Sequence, residues 1–359
     1  MEFGLAEEQT LLQDSVARFL TEQYPLDKVR EYAAGDDDGS AVRQGLNALG
    51  IPALMIPEEH GGVGLGLLEA ALIAEALGNG VAPAPYVAGV VMLPTALAAN
   101  PELAEAWLPK IAAGEVSAGA AVSELTGARG DAGVNASGDR LNGKSMFVID
   151  FDADLYLVGA RDAGAPALYL VEADAQGLTA KAYPTVDATR KTGELHFNDT
   201  PATPVGCTAA QITAVLDYGR VILAADSLGA AQNMLDQAVD YAKQREQFNR
   251  VIASFQAVKH MCAEMAASLE PCRAMVWYAA HAADAGLDEA RQYACHTKAH
   301  VSEVAQFVAR TATEVHGGMG FTDLVGLHYW FKRIGANRQL LGSPERLRDE
   351  AARDANLMA

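Results

Sequence analysis

Apolar residues stepping by four and three run through the C-terminal part of the chain in three series. The first is Ala224, Leu228, Ala231, Leu235, Ala238 and Ala242. The second is Val258, Cys262, Met265, Leu269, Cys272, Val276 and Ala279, and the third runs Ala290, Ala294, Thr297, Val301, Val304, Val308, Thr311 and Val315. That step places each series on one face of a helix, and an apolar face of such length has to be covered by another helix. The pattern predicts long helices packed as an antiparallel bundle. Pro271 falls inside the second series and predicts a kink there. Met261, Met265 and Met275 read as core filler.

Upstream the texture changes twice. From Leu5 to about Ala113 it is helical, with breaks at GDDDG (35 to 39), HGGVG (60 to 64) and VAPAPY (81 to 86). Between Ala118 and Pro204 it turns to short apolar or alternating runs, LYLVGA, ALYLVEAD and GELHFND, separated by glycine, aspartate and proline. The expected fold class is α+β and multidomain: an N-terminal helical domain over 1–115, a middle β domain over 116–208 and a four-helix bundle over 209–359.

Charge and cysteine usage narrow the function classes. Forty-six acidic against 27 basic residues give a formal charge of -19, which repels phosphate backbones and anionic lipid, so neither nucleic acid nor a membrane is an expected partner. Cys207, Cys262, Cys272 and Cys295 have no CxxC spacing, and the N-terminus lacks a basic segment followed by an apolar core. The expectation is a reducing, cytoplasmic location.

Two stretches need more than packing. HGGMGF (316 to 321) ends the third helical series in three glycines within four positions, which as a local feature is a helix C-cap. YAKQREQFNRVIASFQAVKH (241 to 260) places Arg245 and Phe248 three apart before a break, and Gln256 at the start of the next helix. Taken alone, this is an ordinary helix end with a cation at its C-terminus.

Together the two stretches resemble the acyl-CoA dehydrogenase family, whose bundle domain carries R-x-Q-F-G-x-x-I-x-x-F-Q and later Q-x-x-G-G-x-G. IPALMIPEEHGGVGLGLLEAALIAEALG (51 to 78) is similar to the family's N-terminal block, so the resemblance spans essentially the whole chain. It implies a helical domain, a β-barrel domain and a four-helix bundle, with FAD as cofactor and an acyl-CoA as substrate. It also implies that the bundle of one subunit reaches the FAD of its neighbour. There Arg245 would bind the pyrophosphate through its planar fork, Phe248 would pack against the cofactor, and Gln256 would lie at the interface. Gly317 and Gly318 would let backbone N–H groups approach. Ser343 would fall in the segment after the glycine-rich helix end. The same run departs from the pattern at Asn249, Val251 and Glu314, which replace glycine, proline and a cofactor-bonding glutamine; a carboxylate at 314 repels pyrophosphate unless it turns away or takes a proton. In the β domain, VSELTGARGD (122 to 131) keeps Ser123 and Glu124 of the family's ring-holding loop but not its P-G-x-G-S-D portion, and Phe147 replaces the tryptophan of a W-I-T/S segment.

The family's reaction needs a glutamate to take the α-proton of the thioester while a hydride passes to the flavin. Aligned on Gly317 and Gly318, the usual base segment falls on Leu340, Leu341, Gly342 and Ser343, so Leu341 occupies the base position. The rarer position, before the arginine that opens the first bundle helix, falls in LDYGR and is filled by Gly219. Asp217 and Glu345 read as helix-end or surface acids, and His296 and His300 as a solvated helix face. No catalytic residue is therefore expected on this chain. The resemblance implies the base-lacking subunit of a hetero-oligomer, with a homologous subunit bearing the glutamate and an electron-transferring flavoprotein as acceptor. A homo-oligomeric enzyme with a displaced base, an assembly protein without flavin and a flavin monooxygenase on the same fold stay open as alternatives.

Overall fold

A computed structural model describes residues 4–127 and 132–357. In chain order the helices before the sheet are α1 (Glu7–Gln23), α2 (Leu26–Ala34), α3 (Ser40–Ala48), α4 (Leu67–Asn79), α5 (Leu93–Leu97) and α6 (Pro101–Ala112). Strands β1 (Ala118–Ala121) and β2 (Gly133–Ser137) flank the short α7 (Ser123–Thr126). Then come β3 (Arg140–Ser145), β4 (Leu155–Asp162), β5 (Ala165–Glu172), β6 (Leu178–Ala182), β7 (Gly193–Pro201) and β8 (Thr203–Pro204). The rest is α8 (Ala209–Gln244), a hairpin of β9 (Glu246–Gln247) and β10 (Arg250–Val251), and α9 (Gln256–Asp284), α10 (Ala290–His316), α11 (Leu327–Gln339) and α12 (Pro344–Asp354). The fold is mostly helical with a curled middle sheet, a half-barrel. Among the described residues, no helix is long and apolar enough to cross a membrane.

The chain divides into two compact units: Met1–Asp38, Ala71–Ala82 and Val221–Ala359 form one, Gly39–Ala70 and Pro83–Arg220 the other. The second unit contains the sheet, ordered β6-β7-β3-β2-β4-β5-β8, with β1 beside β4. Neighbours are antiparallel except that β4 runs parallel to both β1 and β2. Val134, Leu141, Val158, Tyr169, Leu195 and Phe197 fill its core.

In the first unit the three apolar series become buried faces. Ala224, Leu228, Ala231 and Ala238 are fully buried on α8, as are Met265, Cys272 and Ala279 on α9 and Val301 and Val308 on α10. Met261 and Met275 are only half-buried. α9 continues as a helix through Pro271. α10 packs against α9, α11 and α12.

Two glycines bring α4 and α8 into backbone contact. A Cβ on Gly229 would lie 1.8 Å from the Glu75 carbonyl oxygen, and one on Gly78 would lie 1.9 Å from that of Asp226. The C-terminus of α4 is held from α11: Trp330 Nε1 donates to the Asn79 carbonyl at 2.7 Å and Arg333 Nη2 to the Ala82 carbonyl at 2.8 Å. Between those anchors Val81 sits at φ 45°, where a β-branched residue is strained.

Candidate functional site

The bundle half of the site begins where α8 stops. Arg245 gives its backbone N–H to the Tyr241 carbonyl at 2.8 Å and accepts from Ile252 N–H at 2.8 Å. Its exposed guanidinium makes no hydrogen bond or ion pair among the described residues. Phe248 and Asn249 stand at φ 54° and 59°, the two left-handed positions of a type I′ turn joining β9 to β10. Asparagine tolerates that conformation, so the missing glycine at 249 leaves the turn intact. The turn holds the Phe248 ring out, 87% exposed, edge-on to Phe255 at 6.2 Å. Gln256, also exposed, is the first residue of α9.

The glycine stretch ends α10 and opens a single 3₁₀ turn, Gly317–Phe321. Gly317 has φ 56° and ψ -137°, a region essentially restricted to glycine. A Cβ on Gly320 would lie 2.6 Å from the Thr313 carbonyl oxygen, so that glycine is required by packing. Beyond their own chain neighbours, nothing among the described residues lies within 4 Å of a Cβ placed on Gly317 or Gly318, and both are exposed. Packing within the chain therefore does not explain that pair. Glu314 is exposed as well.

One contact ties the two stretches together. The His316 ring stacks on Tyr241 at 4.5 Å and 25°, and its Nδ1 pairs with the Ala312 carbonyl at 2.8 Å. Burial lowers the His316 pKa, so the ring is neutral near pH 7, with Nδ1 as the donor. Tyr241 lies one turn before Arg245 and His316 directly precedes Gly317, so the stack links the arginine-bearing helix end to the glycine turn. An unpaired guanidinium, a presented aromatic ring and an open glycine backbone form a donor set that fits the pyrophosphate and ring of a dinucleotide such as FAD.

The base positions carry no carboxylate. Leu341, 4% exposed at φ 57°, lies between α11 and α12. Ser343 precedes α12 and accepts from Leu347 N–H at 3.0 Å. Glu345 is held down to about 2 by hydrogen bonds with Ser343 and its own backbone and by Arg338 at 2.7 Å; it is an ionised surface acid, as expected. Gly219 is buried within α8, and Arg220 does not open a helix, since α8 starts at Ala209. Asp217 corrects the sequence reading: it is neither a surface nor a helix-end acid. It is 6% exposed and pairs with the equally buried Arg220 at 2.6 Å. Its charge is committed to that pair. His296 and His300 are exposed, and among the described residues no cluster of His, Cys, Asp and Glu could hold a metal.

The sheet unit carries the remaining positions. Ser123 opens α7, shares a hydrogen bond with Ser145 Oγ at 2.9 Å and accepts from Met146 N–H at 3.0 Å. Glu124 accepts from Val134 N–H at 3.3 Å and from Arg161 Nε at 3.1 Å. Both side chains are spent on the local fold. Residues 128–131, the eroded end of that loop, lie outside the described residues. Phe147, at φ 54° and half exposed, leans on Tyr183 with ring centroids 5.8 Å apart.

Sequence reasoning missed two polar anchors of the bundle unit. Asp226 takes Arg333 in a bidentate pair, and Arg30 reaches the backbone beyond the glycine turn. Both join residues distant in sequence, and no local spacing announces them.

Comparison with known proteins identifies the family and the fold. The model of the acyl-CoA dehydrogenase N-terminal domain matches residues 6–115, and that of the C-terminal domain matches residues 207–355. Acyl-CoA dehydrogenase IpdE2 of Mycobacterium tuberculosis is 31% identical over 347 residues, covering 94% of each chain. A chain of the ChsE4-ChsE5 complex from Mycobacterium tuberculosis superposes with a TM-score of 0.91 at 26% identity over 100% of both chains. A chain of the Tcur3481-Tcur3483 steroid ACAD G363A variant gives 0.87 at 28% identity over 98% of both. A relative matched over 94% of both chains at 31% identity, together with the two domain matches, shows that the chain belongs to the acyl-CoA dehydrogenase family, whose members are FAD-dependent oxidoreductases.

Proposed function

We propose that this chain is the base-lacking subunit of a hetero-oligomeric acyl-CoA dehydrogenase. It contributes to FAD-dependent α,β-dehydrogenation of an acyl-CoA thioester, and the catalytic glutamate stands on a homologous partner subunit. The observation that carries this reading is the pair of base positions: a buried leucine at 341 and a helix-interior glycine at 219, with Asp217 and Glu345 already paired to arginines. The ChsE4-ChsE5 complex and the Tcur3481-Tcur3483 steroid ACAD, each named for two components, support the hetero-oligomer, and the latter's name supports a steroid-derived acyl group.

FAD, when bound, supplies the acceptor for the β-hydride. This chain's residues hold and orient. Arg245 would bind the pyrophosphate, Gly317 and Gly318 would open backbone N–H groups to it, Phe248 and Ser343 would contact the cofactor, and Gln256 would lie at the same interface. Glu314 stays turned to solvent. Ser123 and Phe147 shape the receiving loop of the chain's own sheet unit, where Phe147 lacks the indole N–H of a tryptophan. An electron-transferring flavoprotein would be the electron acceptor.

Two measurements test the reading. The chain expressed alone, loaded with FAD, is expected to turn over acyl-CoA substrates about 10²- to 10⁴-fold more slowly than the complex, the usual size of a lost general base. Turnover by the isolated chain at the rate of the complex would refute it. Leu341→Glu alone is not expected to restore activity, because Phe147 and the loop at 122–131 are unchanged. In the complex, Arg245→Ala is expected to lower FAD affinity by about tenfold, the size of one charge-assisted phosphate contact. The flavin-to-protein ratio should fall while the thermal midpoint of the mutant chain alone stays put, since Arg245 is exposed and unpaired. A flavin ratio equal to wild type would remove the cross-subunit role.

A further inference from the structure

We propose that Arg30, on α2, is a positioning residue for the glycine turn of the bundle unit, fixing the end of the turn farthest from α10. The inference rests on the reading of Gly317 and Gly318 as cofactor contacts. Arg30 Nη2 donates to the carbonyls of Asp323 at 2.8 Å and Leu324 at 2.9 Å, while Nη1 donates to Asp27 Oδ1 at 2.7 Å. Asp27, one turn earlier on α2, thus orients the fork that grips two successive carbonyls nearly 300 residues away. A lysine there offers a single point charge and no fixed fork.

The segment beyond the turn has little else to hold it. Phe321 is 82% exposed and Leu324 77%, so apolar burial does not fasten it. Its other bonds are local: Thr322 donates through N–H (3.0 Å) and Oγ1 (2.7 Å) to the Met319 carbonyl, and Asp323 Oδ1 meets His328 Nε2 at 2.7 Å. Where the segment rejoins α11, Gly326 passes close over α2: at φ 75°, its Cβ would lie 2.9 Å from Leu26 Cδ2 and 3.3 Å from Arg30 Nη2. The turn is therefore anchored at both ends. The His316–Tyr241 stack fixes its entry, and Arg30 fixes its exit. Backbone N–H groups that must meet a ligand need such anchoring, because a floppy turn loses affinity to ordering entropy.

Arg30→Met and Arg30→Lys test this in the full chain and in the FAD-loaded complex. In the chain alone, amides of residues 317–324 are expected to exchange about tenfold faster in Arg30→Met, while those of α9 and α10 keep wild-type protection. In the complex, FAD release followed by flavin fluorescence should quicken about tenfold, the ratio equivalent to one charge-assisted hydrogen bond, with Arg30→Lys between the two. Unchanged exchange at 317–324, a rise spread equally over α9 and α10, or wild-type FAD release would each overturn the positioning role. If Arg30→Met does not fold, Arg30→Lys carries the same comparison. Arg245→Ala measured alongside separates the two ideas: if it weakens FAD and Arg30→Met does not, only the role of Arg30 falls. If neither does, the cofactor reading falls and this one with it.

Discussion

Asp226→Ala should cost the isolated chain about 3–5 kcal/mol, the range for removing one partner of a buried ion pair, and is the single substitution expected to damage the bundle unit most. Asp226 and Arg333 are 2% and 1% exposed and meet through two contacts of 3.1 Å. Asn337 Nδ2 adds a third bond to the same carboxylate at 2.6 Å. Truncation takes the carboxylate away from a buried guanidinium, which keeps its bond to the Ala82 carbonyl but loses its counter-charge, and strips the amide of Asn337 of that partner. The loss should be read as a lower urea midpoint at unchanged slope. The double change Asp226→Leu with Arg333→Met should cost less than the two singles summed, since it removes the stranded charge together with its counterpart. A single-mutant cost under about 1 kcal/mol, the range of an exposed ion pair, would show that water reaches the pair.

Gly229→Ala is expected to destabilise by about 2–3 kcal/mol even though helix propensity alone favours alanine by about 1 kcal/mol. Sterics decide the sign. The new methyl would stand 1.8 Å from the Glu75 carbonyl oxygen, a backbone atom that cannot swing aside, so α4 and α8 must part. That separation would also disturb the neighbouring pair of Glu75 with Arg273. Gly335→Ala on α11 is the matched control, because among the described residues, its own helix backbone and chain neighbours aside, no atom lies within 4 Å of its Cβ, and it should gain the roughly 1 kcal/mol of propensity. Thermal or urea unfolding of the two variants side by side checks the contrast. If both gain stability, the close crossing of α4 and α8 is wrong.

The bundle was legible because its signal is local. Ala224, Leu228 and Ala231 on α8 or Val301 and Val308 on α10 are fully buried, as a step of four and three requires. Motif spacing likewise pointed to the helix ends at Arg245 and Gly317, where the chain does turn. What stayed hidden depends on distance in sequence or on the sign of burial. Asp217 read as a helix-end or surface acid, because a shift of two residues from the base position turns a side chain to another face of the helix. Its partner Arg220, three residues on, was the available clue, since apolar Val215, Leu216, Val221 and Ile222 surround the pair in sequence and are buried. No pattern links Asp226 to Arg333 or Arg30 to Leu324. Nothing in the local sequence marks Gly229 and Gly78 as the points where another backbone passes.

Gly229 and Gly318 are the same residue type under unrelated constraints. Around Gly229 the chain itself records any added atom. Around Gly318, among the described residues and beyond its chain neighbours, no atom lies within 4 Å of one. A screen that scores only solubility or melting of this subunit is therefore blind at Gly318, and an allele altered there would pass as wild type until its product met the molecule that fills the space. If that molecule is FAD, as proposed, the lesion would show only in the flavin content of the assembled complex.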